Sequence, residues 1–137
     1  MLKSKIHRAV VTGASVDYEG SISIDRALME AADILPHEQV HVLDIDNGAR
    51  LVTYAILGAP GEICANGAAA KKINVGDTVI ILAYGSLTCD RRSGYQPRIV
   101  LVNRENGIVR VEGLDDDPHL SGLEPIVEPE PTHAKGE

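Results

Sequence analysis

The sequence predicts a small, mainly β protein closed into a barrel, and three observations predict it. Hydrophobic residues make up 44% of the chain, yet there is no Phe and no Trp. The core must therefore be aliphatic, and Val and Ile suit sheet better than helix. Short apolar runs recur between closely spaced turn signals. A single stretch, residues 25–32, has convincing helical composition. Many short strands with one helix is the pattern of a small β-barrel.

Residues 5–12 alternate and read as a first strand, followed by a loop over 13–18 and a short second strand over 20–24. Asp25 is placed to cap a helix running to Ala32, whose Ala27, Leu28, Met29 and Ala31 are good or tolerable helix formers. Pro36 suits a chain reversal. Residues 40–45 form a strand, Asp46-Asn47-Gly48 a hairpin turn, and 50–57 the return strand. Pro60-Gly61 turns the chain again into a short strand over 63–65. Asn66-Gly67 begins with turn chemistry, and the alanines after it can open a second short helical turn. Residues 78–84 are continuously apolar, as a buried strand requires. Residues 99–103 and 108–112 pair around Glu105-Asn106-Gly107.

The net charge of −7 is concentrated at one end. Residues 115–137 carry seven acids against one base, Lys135, so residues 1–114 sit near −1. A nearly neutral body without a basic stripe argues against nucleic acid as a partner. We therefore divide the chain into a barrel domain, 1–114, and an acidic tail, 115–137. The tail holds Pro118, Pro125, Pro129 and Pro131, a composition that predicts disorder. Cys64 and Cys89 stand 25 positions apart without a CxxC, which suggests plain thiols and no metal site. No apolar run reaches 18 residues, and the first residues do not read as a signal peptide. No membrane span is expected, and the cytoplasm is the default location.

Four local features could carry chemistry. Gly20-Ser21 is, as a dipeptide, ordinarily a turn entering a strand. Read chemically, the Ser21 hydroxyl can attack the Gly20 carbonyl, moving the acyl group from nitrogen to oxygen. Glycine keeps that carbonyl accessible and tolerates strain. Lys5 and His7 share a strand face, which an ordinary solvated face explains equally well. Arg50 offers a fork for a carboxylate, Thr53 a hydroxyl for an oxyanion, and Tyr54 a proton donor. Strict alternation, however, would point Thr53 and Tyr54 to opposite faces. Asn66, Gly67, Ala68 and Ala69 lack bulk, so backbone amides there can approach a small ligand.

Five blocks, KIHRA (5–9), YEGSISID (18–25), NGARLVTYAI (47–56), NGAAA (66–70) and VGDTVIILAY (75–84), together resemble the aspartate 1-decarboxylase family. The resemblance runs from about residue 3 to residue 103. It implies a double-psi β-barrel, a homotetramer with active sites between subunits, and decarboxylation of L-aspartate to β-alanine for pantothenate and coenzyme A synthesis. It also implies autocatalytic cleavage between Gly20 and Ser21, leaving a β chain (1–20) and an α chain (21–137). Ser21 would become a covalent pyruvoyl group that holds substrate as a Schiff base, with neither PLP nor a metal.

On the same basis Tyr54 is the proton donor, and Thr53 and Asn66 serve processing. Lys5, Arg50, Thr53, Asn66, Gly67, Ala68 and Ala69 contact substrate, while His7 and Tyr18 line the site. The segment 58–62 is shorter than the usual family loop, which leaves its path toward Asn66 open. Two rival readings stand beside this one. The first is a non-catalytic barrel that binds a small acid or a protein. The second is an autoprocessing hydrolase that keeps Ser21 as a free nucleophile.

Overall fold

The computed structural model describes residues 1–113 and Glu124–Pro125. Ten strands dominate: β1 (Leu2–Val10), β2 (Gly13–Ser15), β3 (Ser21–Asp25), β4 (Gln39–Asp44), β5 (Arg50–Gly58), β6 (Ile63–Asn66), β7 (Thr78–Ser86), β8 (Arg98–Val102), β9 (Ile108–Glu112) and β10 (Glu124–Pro125). The one α-helix among the described residues, α1, spans Arg26–Ala32, and 3-10 turns cover Gly67–Lys71 and Cys89–Arg91. The mainly β class and the single α-helix are as expected. The segment expected to be a loop from residue 13 contains β2, which is paired in parallel with β6. Of the tail, Glu124–Pro125 pairs antiparallel with Gly85 and Ser86; the remaining expectation of disorder lies outside the described residues.

The strand order is β2-β6-β3-β5-β4-β7-β1-β8-β9, with β10 beside β7. Three of the pairings, β2–β6, β3–β5 and β1–β8, are parallel and join distant parts of the sequence. Among the described residues the ladder does not close, because β2 and β9 at its ends are not paired. The expected mainly β class stands, with a sheet that is not closed by hydrogen bonds. The physical reason lies at the end of β1. Arg8 takes a positive φ of 68° at a register shift, and the chain leaves the β7 ladder after Val10. Val11 N–H then donates to Asp77 O, and Thr12 N–H to Ile63 O.

One side chain bridges this gap. Asn106, only 2% exposed and at φ 64°, accepts from Val10 N–H at 2.7 Å. Its Nδ2 donates to Val10 O and Gly61 O, each at 2.9 Å. Asn tolerates the left-handed backbone of this turn better than most residues.

The core is aliphatic, as composition requires: Ile6, Ile22, Ile24, Leu28, Met29, Val40, Val42, Ile63, Ile73, Val79, Ile81 and Val100 are all buried. Asp25 caps α1 through Oδ1, which accepts from Ala27 N–H at 2.7 Å. Its Oδ2 accepts from Gly61 N–H at 2.7 Å. That second bond fixes the short 58–62 segment as a tight turn, with Gly61 at φ 78° and Glu62 O accepting from Asp25 N–H. The turn delivers Ile63 directly into β6, alongside β3. A buried ion pair, Lys3 Nζ to Glu38 Oε2 at 2.9 Å, ties the start of β1 to the entry of β4. Glu38 Oε1 also accepts from Leu35 N–H.

Candidate active site

β3 is buried along its whole length, so the hydroxyls of Ser21 and Ser23 must find partners inside the protein. They stand two residues apart and therefore on one face of the strand. β6 runs antiparallel beside β3, with Asn66 opposite Ser21. The Asn66 Nδ2 group donates to Ser21 Oγ and to Ser23 Oγ, both at 3.0 Å. Its Oδ1 lies 3.4 Å from Cys64 Sγ, within reach of a thiol donor. Burial, and next the Glu62 charge, push the Cys64 thiol above its ordinary pKa, so it keeps its proton. With its Nδ2 committed to the serines, Asn66 fits the pocket in one amide orientation only. Ser21 itself is 1% exposed, and its hydroxyl donates to Glu19 O at 3.3 Å.

Gly67 follows Asn66 in the left-handed region, at φ 65°. It begins the 3-10 turn Gly67–Lys71, which sets Ala68 and Ala69 on the wall of a cavity of about 420 Å³. Gly20, Leu51, Val52, Thr53, Tyr54 and Lys72 complete that wall. Five residues singled out in the sequence, Gly20, Thr53, Tyr54, Ala68 and Ala69, thus meet around one space. Thr53 and Tyr54 both reach it despite alternation, and the sheet shows why. β3 pairs with β5 only from Ile22 opposite Ala55 onward. Before that point β5 has an open flank, and the cavity occupies it. Ser21 and Tyr54 each stand one residue before the first pair of that ladder.

Other expected residues are not brought to this place by the single chain. Lys5 and His7 share a face of β1, as expected, with Ser4 and Ile6 buried on the other. Along the sheet, β5, β4 and β7 separate β1 from β3. His7 lines a different cavity of about 200 Å³ with Arg8, Thr78 and Arg104. Burial, then the neighbouring Lys5 and Arg8 charges, hold His7 below its usual pKa. Arg50 is exposed at the start of β5, opposite Leu43. Four residues of extended chain, roughly 13 Å, separate it from Tyr54. Tyr18 is 59% exposed just ahead of Gly20.

Three residues of this region were missed in the sequence: Ser23, Cys64 and Lys72. Ser23 carried a signal, because it shares a face with Ser21 on a strand flanked by isoleucines. Lys72 directly follows the small-residue run that forms the wall. For Cys64 only the β6 alternation, which sets it on the side of Asn66, could have served.

The profile of the aspartate decarboxylase family matches residues 1–109. Among curated relatives, an aspartate 1-decarboxylase of Dehalococcoides mccartyi is 54% identical over 114 residues, 82% of this chain and 92% of that protein. One of Thermoanaerobacter pseudethanolicus is 53% identical over 108 residues, 77% of this chain and 92% of its own. One of Syntrophus aciditrophicus is 56% identical over 110 residues, 79% of this chain and 95% of its own.

Proposed function

The chain belongs to the aspartate decarboxylase family, and on that premise we propose that it cleaves itself between Gly20 and Ser21 and then decarboxylates L-aspartate to β-alanine. The observation that carries the proposal is the Asn66–Ser21 contact, one residue from Gly20, which lines the Thr53–Tyr54 cavity. A buried serine with a fixed amide donor, preceded by an exposed glycine, is the arrangement an internal acyl shift needs.

In maturation the Ser21 Oγ attacks the Gly20 carbonyl carbon. The peptide nitrogen leaves, and an ester joins Gly20 to the Ser21 oxygen. Thr53 is our candidate to donate to the oxyanion that develops on the way. Elimination releases the Gly20 carboxylate and leaves dehydroalanine, which hydrolyses with loss of ammonia to a pyruvoyl group at position 21. The residues present fit that group: Gly20, Ala68 and Ala69 line the cavity without bulk, and Asn66 keeps an amide donor on the side chain of position 21.

A pyruvoyl group at this position supplies a carbonyl that binds the substrate amine and an electron sink for the departing carboxylate. The protein's own residues then do the rest. Arg50 binds a substrate carboxylate by a paired fork, and Lys5 adds positive potential. Tyr54, on the cavity wall beside position 21, returns a proton to carbon. We take the active assembly to be a homotetramer, in which a neighbouring subunit brings in groups that one chain leaves apart. Lys5, His7 and Arg50 are such groups. Val52, on the cavity wall, and Tyr18, two residues before Gly20, are both more than half exposed and give that neighbour a surface.

Intact-mass measurement of the purified protein tests the reading. Two fragments, 1–20 and 21–137, with a ketone-blocked terminus on the second and release of β-alanine from aspartate, are the expected result. A single uncut chain without turnover would instead support a binding module. A free Ser21 amine would support a hydrolase.

A further inference from the structure

A second cluster lies away from this cavity, where the turn between β4 and β5 meets the turn entering β7. Asp44, Asp46 and Asp77 bring one carboxylate oxygen each to within 4.8 Å of one another. Each side chain already spends an oxygen on backbone. Asp44 Oδ1 accepts from Asp46 N–H at 2.8 Å and Asn47 N–H at 3.2 Å. Asp46 Oδ2 accepts from Thr78 N–H at 2.7 Å, and Asp77 Oδ2 from Asn74 N–H at 3.0 Å. These bonds orient the carboxylates but leave an oxygen of each without a backbone donor.

For Asp44 the remaining oxygen is buried. The residue is 2% exposed, and Oδ2 is shut off from solvent with no hydrogen-bond donor. Among the described residues no Lys, Arg or His forms an ion pair with any of the three. A buried carboxylate oxygen without a donor is costly unless a cation or a proton satisfies it.

We infer that Asp44, Asp46 and Asp77 form a site for a hard divalent cation of calcium size. Calcium accepts oxygen ligands at about 2.3–2.6 Å in flexible geometry, whereas magnesium at about 2.0–2.1 Å demands a near-ideal octahedron and keeps several waters. Carboxylates held by backbone bonds on two separate turns suit the geometrically more tolerant calcium ion. Bound there, the ion ties the β4–β5 turn to the segment entering β7. Asn47 Nδ2 already reaches Lys72 O across the same gap at 2.8 Å. This site is independent of the decarboxylase reading, and neither depends on the other's fate.

The test is calorimetric titration of the EDTA-treated full chain with CaCl₂, together with thermal melts in Ca²⁺ and in EDTA. The expected result is about one ion bound per chain and a melting temperature raised by on the order of 5 °C at saturating Ca²⁺. Asp46→Asn, at an exposed position where the amide oxygen can still accept from Thr78, should melt in EDTA like the parent and lose the calcium response. Asp77→Asn should behave alike. Absence of binding at millimolar Ca²⁺ would overturn the inference. So would a shift reproduced by NaCl of matched ionic strength, or calcium binding unchanged in both variants. A chain indifferent to Ca²⁺ but stabilised between pH 7 and pH 5.5 would also overturn it, pointing to a proton shared by Asp44 and Asp77.

Discussion

Gly67 lies directly against Gly20. A Cβ on Gly67 would sit 2.6 Å from the Gly20 Cα, 2.7 Å from its nitrogen and 2.9 Å from the Tyr18 carbonyl oxygen. Those neighbours are backbone and cannot swing aside, and Gly67 also holds a φ of 65°. The turn after β6 is therefore the floor on which the cleavage segment rests. Gly67→Ala should displace residues 18–20, cost about 1–3 kcal/mol of stability and slow cleavage by at least about tenfold. Urea denaturation and a time course of fragment appearance on gels measure both effects.

Asn66 serves two buried serines with one amide group. Asn66→Ala removes the donor to both and should cost about 1–3 kcal/mol, with slowed maturation. The thiol of Cys64 fixes which way that amide faces. Cys64→Ser should mature at close to the parent rate, and Cys64→Ala more slowly. Equal cleavage rates for the two Cys64 variants would remove the thiol from the account.

Thr53 is assigned to the developing oxyanion. Loss of one such donor costs about 3–4 kcal/mol, so Thr53→Ala should slow cleavage by about 10²–10³-fold, with Thr53→Ser recovering most of it. The folded state should be little changed, as judged by circular dichroism. A Thr53→Ala chain that cleaves at the parent rate would move this role to another group.

Maturation and turnover should separate. Ser21→Ala should give a folded, uncut chain with no decarboxylation. Arg50, distant from Ser21 in the single chain, should be dispensable for cleavage. Arg50→Ala is expected to yield both fragments yet turn aspartate over at least about 10²-fold more slowly, by assay of β-alanine. Two fragments from Ser21→Ala would refute the nucleophile.

The Lys3–Glu38 pair is buried on both sides, at 5% and 3% side-chain exposure. Breaking it singly leaves a buried charge, so Lys3→Met should cost about 3–5 kcal/mol. Replacing both, as Lys3→Met with Glu38→Gln, should restore much of that loss, because Gln keeps an acceptor for Leu35 N–H. A double-mutant cycle by chemical denaturation gives the coupling.

Local chemistry was legible in the sequence wherever a few neighbouring residues decide the outcome. Asp25 as a helix cap, the Asp46-Asn47-Gly48 turn and the aliphatic strands are of that kind. The motif blocks likewise carried the proposed site residues Ser21, Thr53, Tyr54 and Asn66. Less legible were β2, which is short and polar and exists because β6 lies beside it, and the ends of β1, which depend on Arg8 and Asp77. Lys3 reads as an exposed N-terminal lysine until Glu38, 35 residues on, closes over it.

The sequence by itself determined that this is a mainly β chain with an aliphatic core, while the proposed attack at Gly20–Ser21 came from the family resemblance. The class and the core follow from side-chain size, turn chemistry and residues adjacent in the chain. Only the tertiary structure decided that Asn66 holds both serines, that Gly67 touches Gly20, and that Thr53 and Tyr54 share one cavity. Each relation joins residues far apart in sequence through parallel and antiparallel register, which no local pattern encodes. Three aspartates spread from position 44 to position 77 converge for the same reason: two turns, unrelated in sequence, are packed against each other.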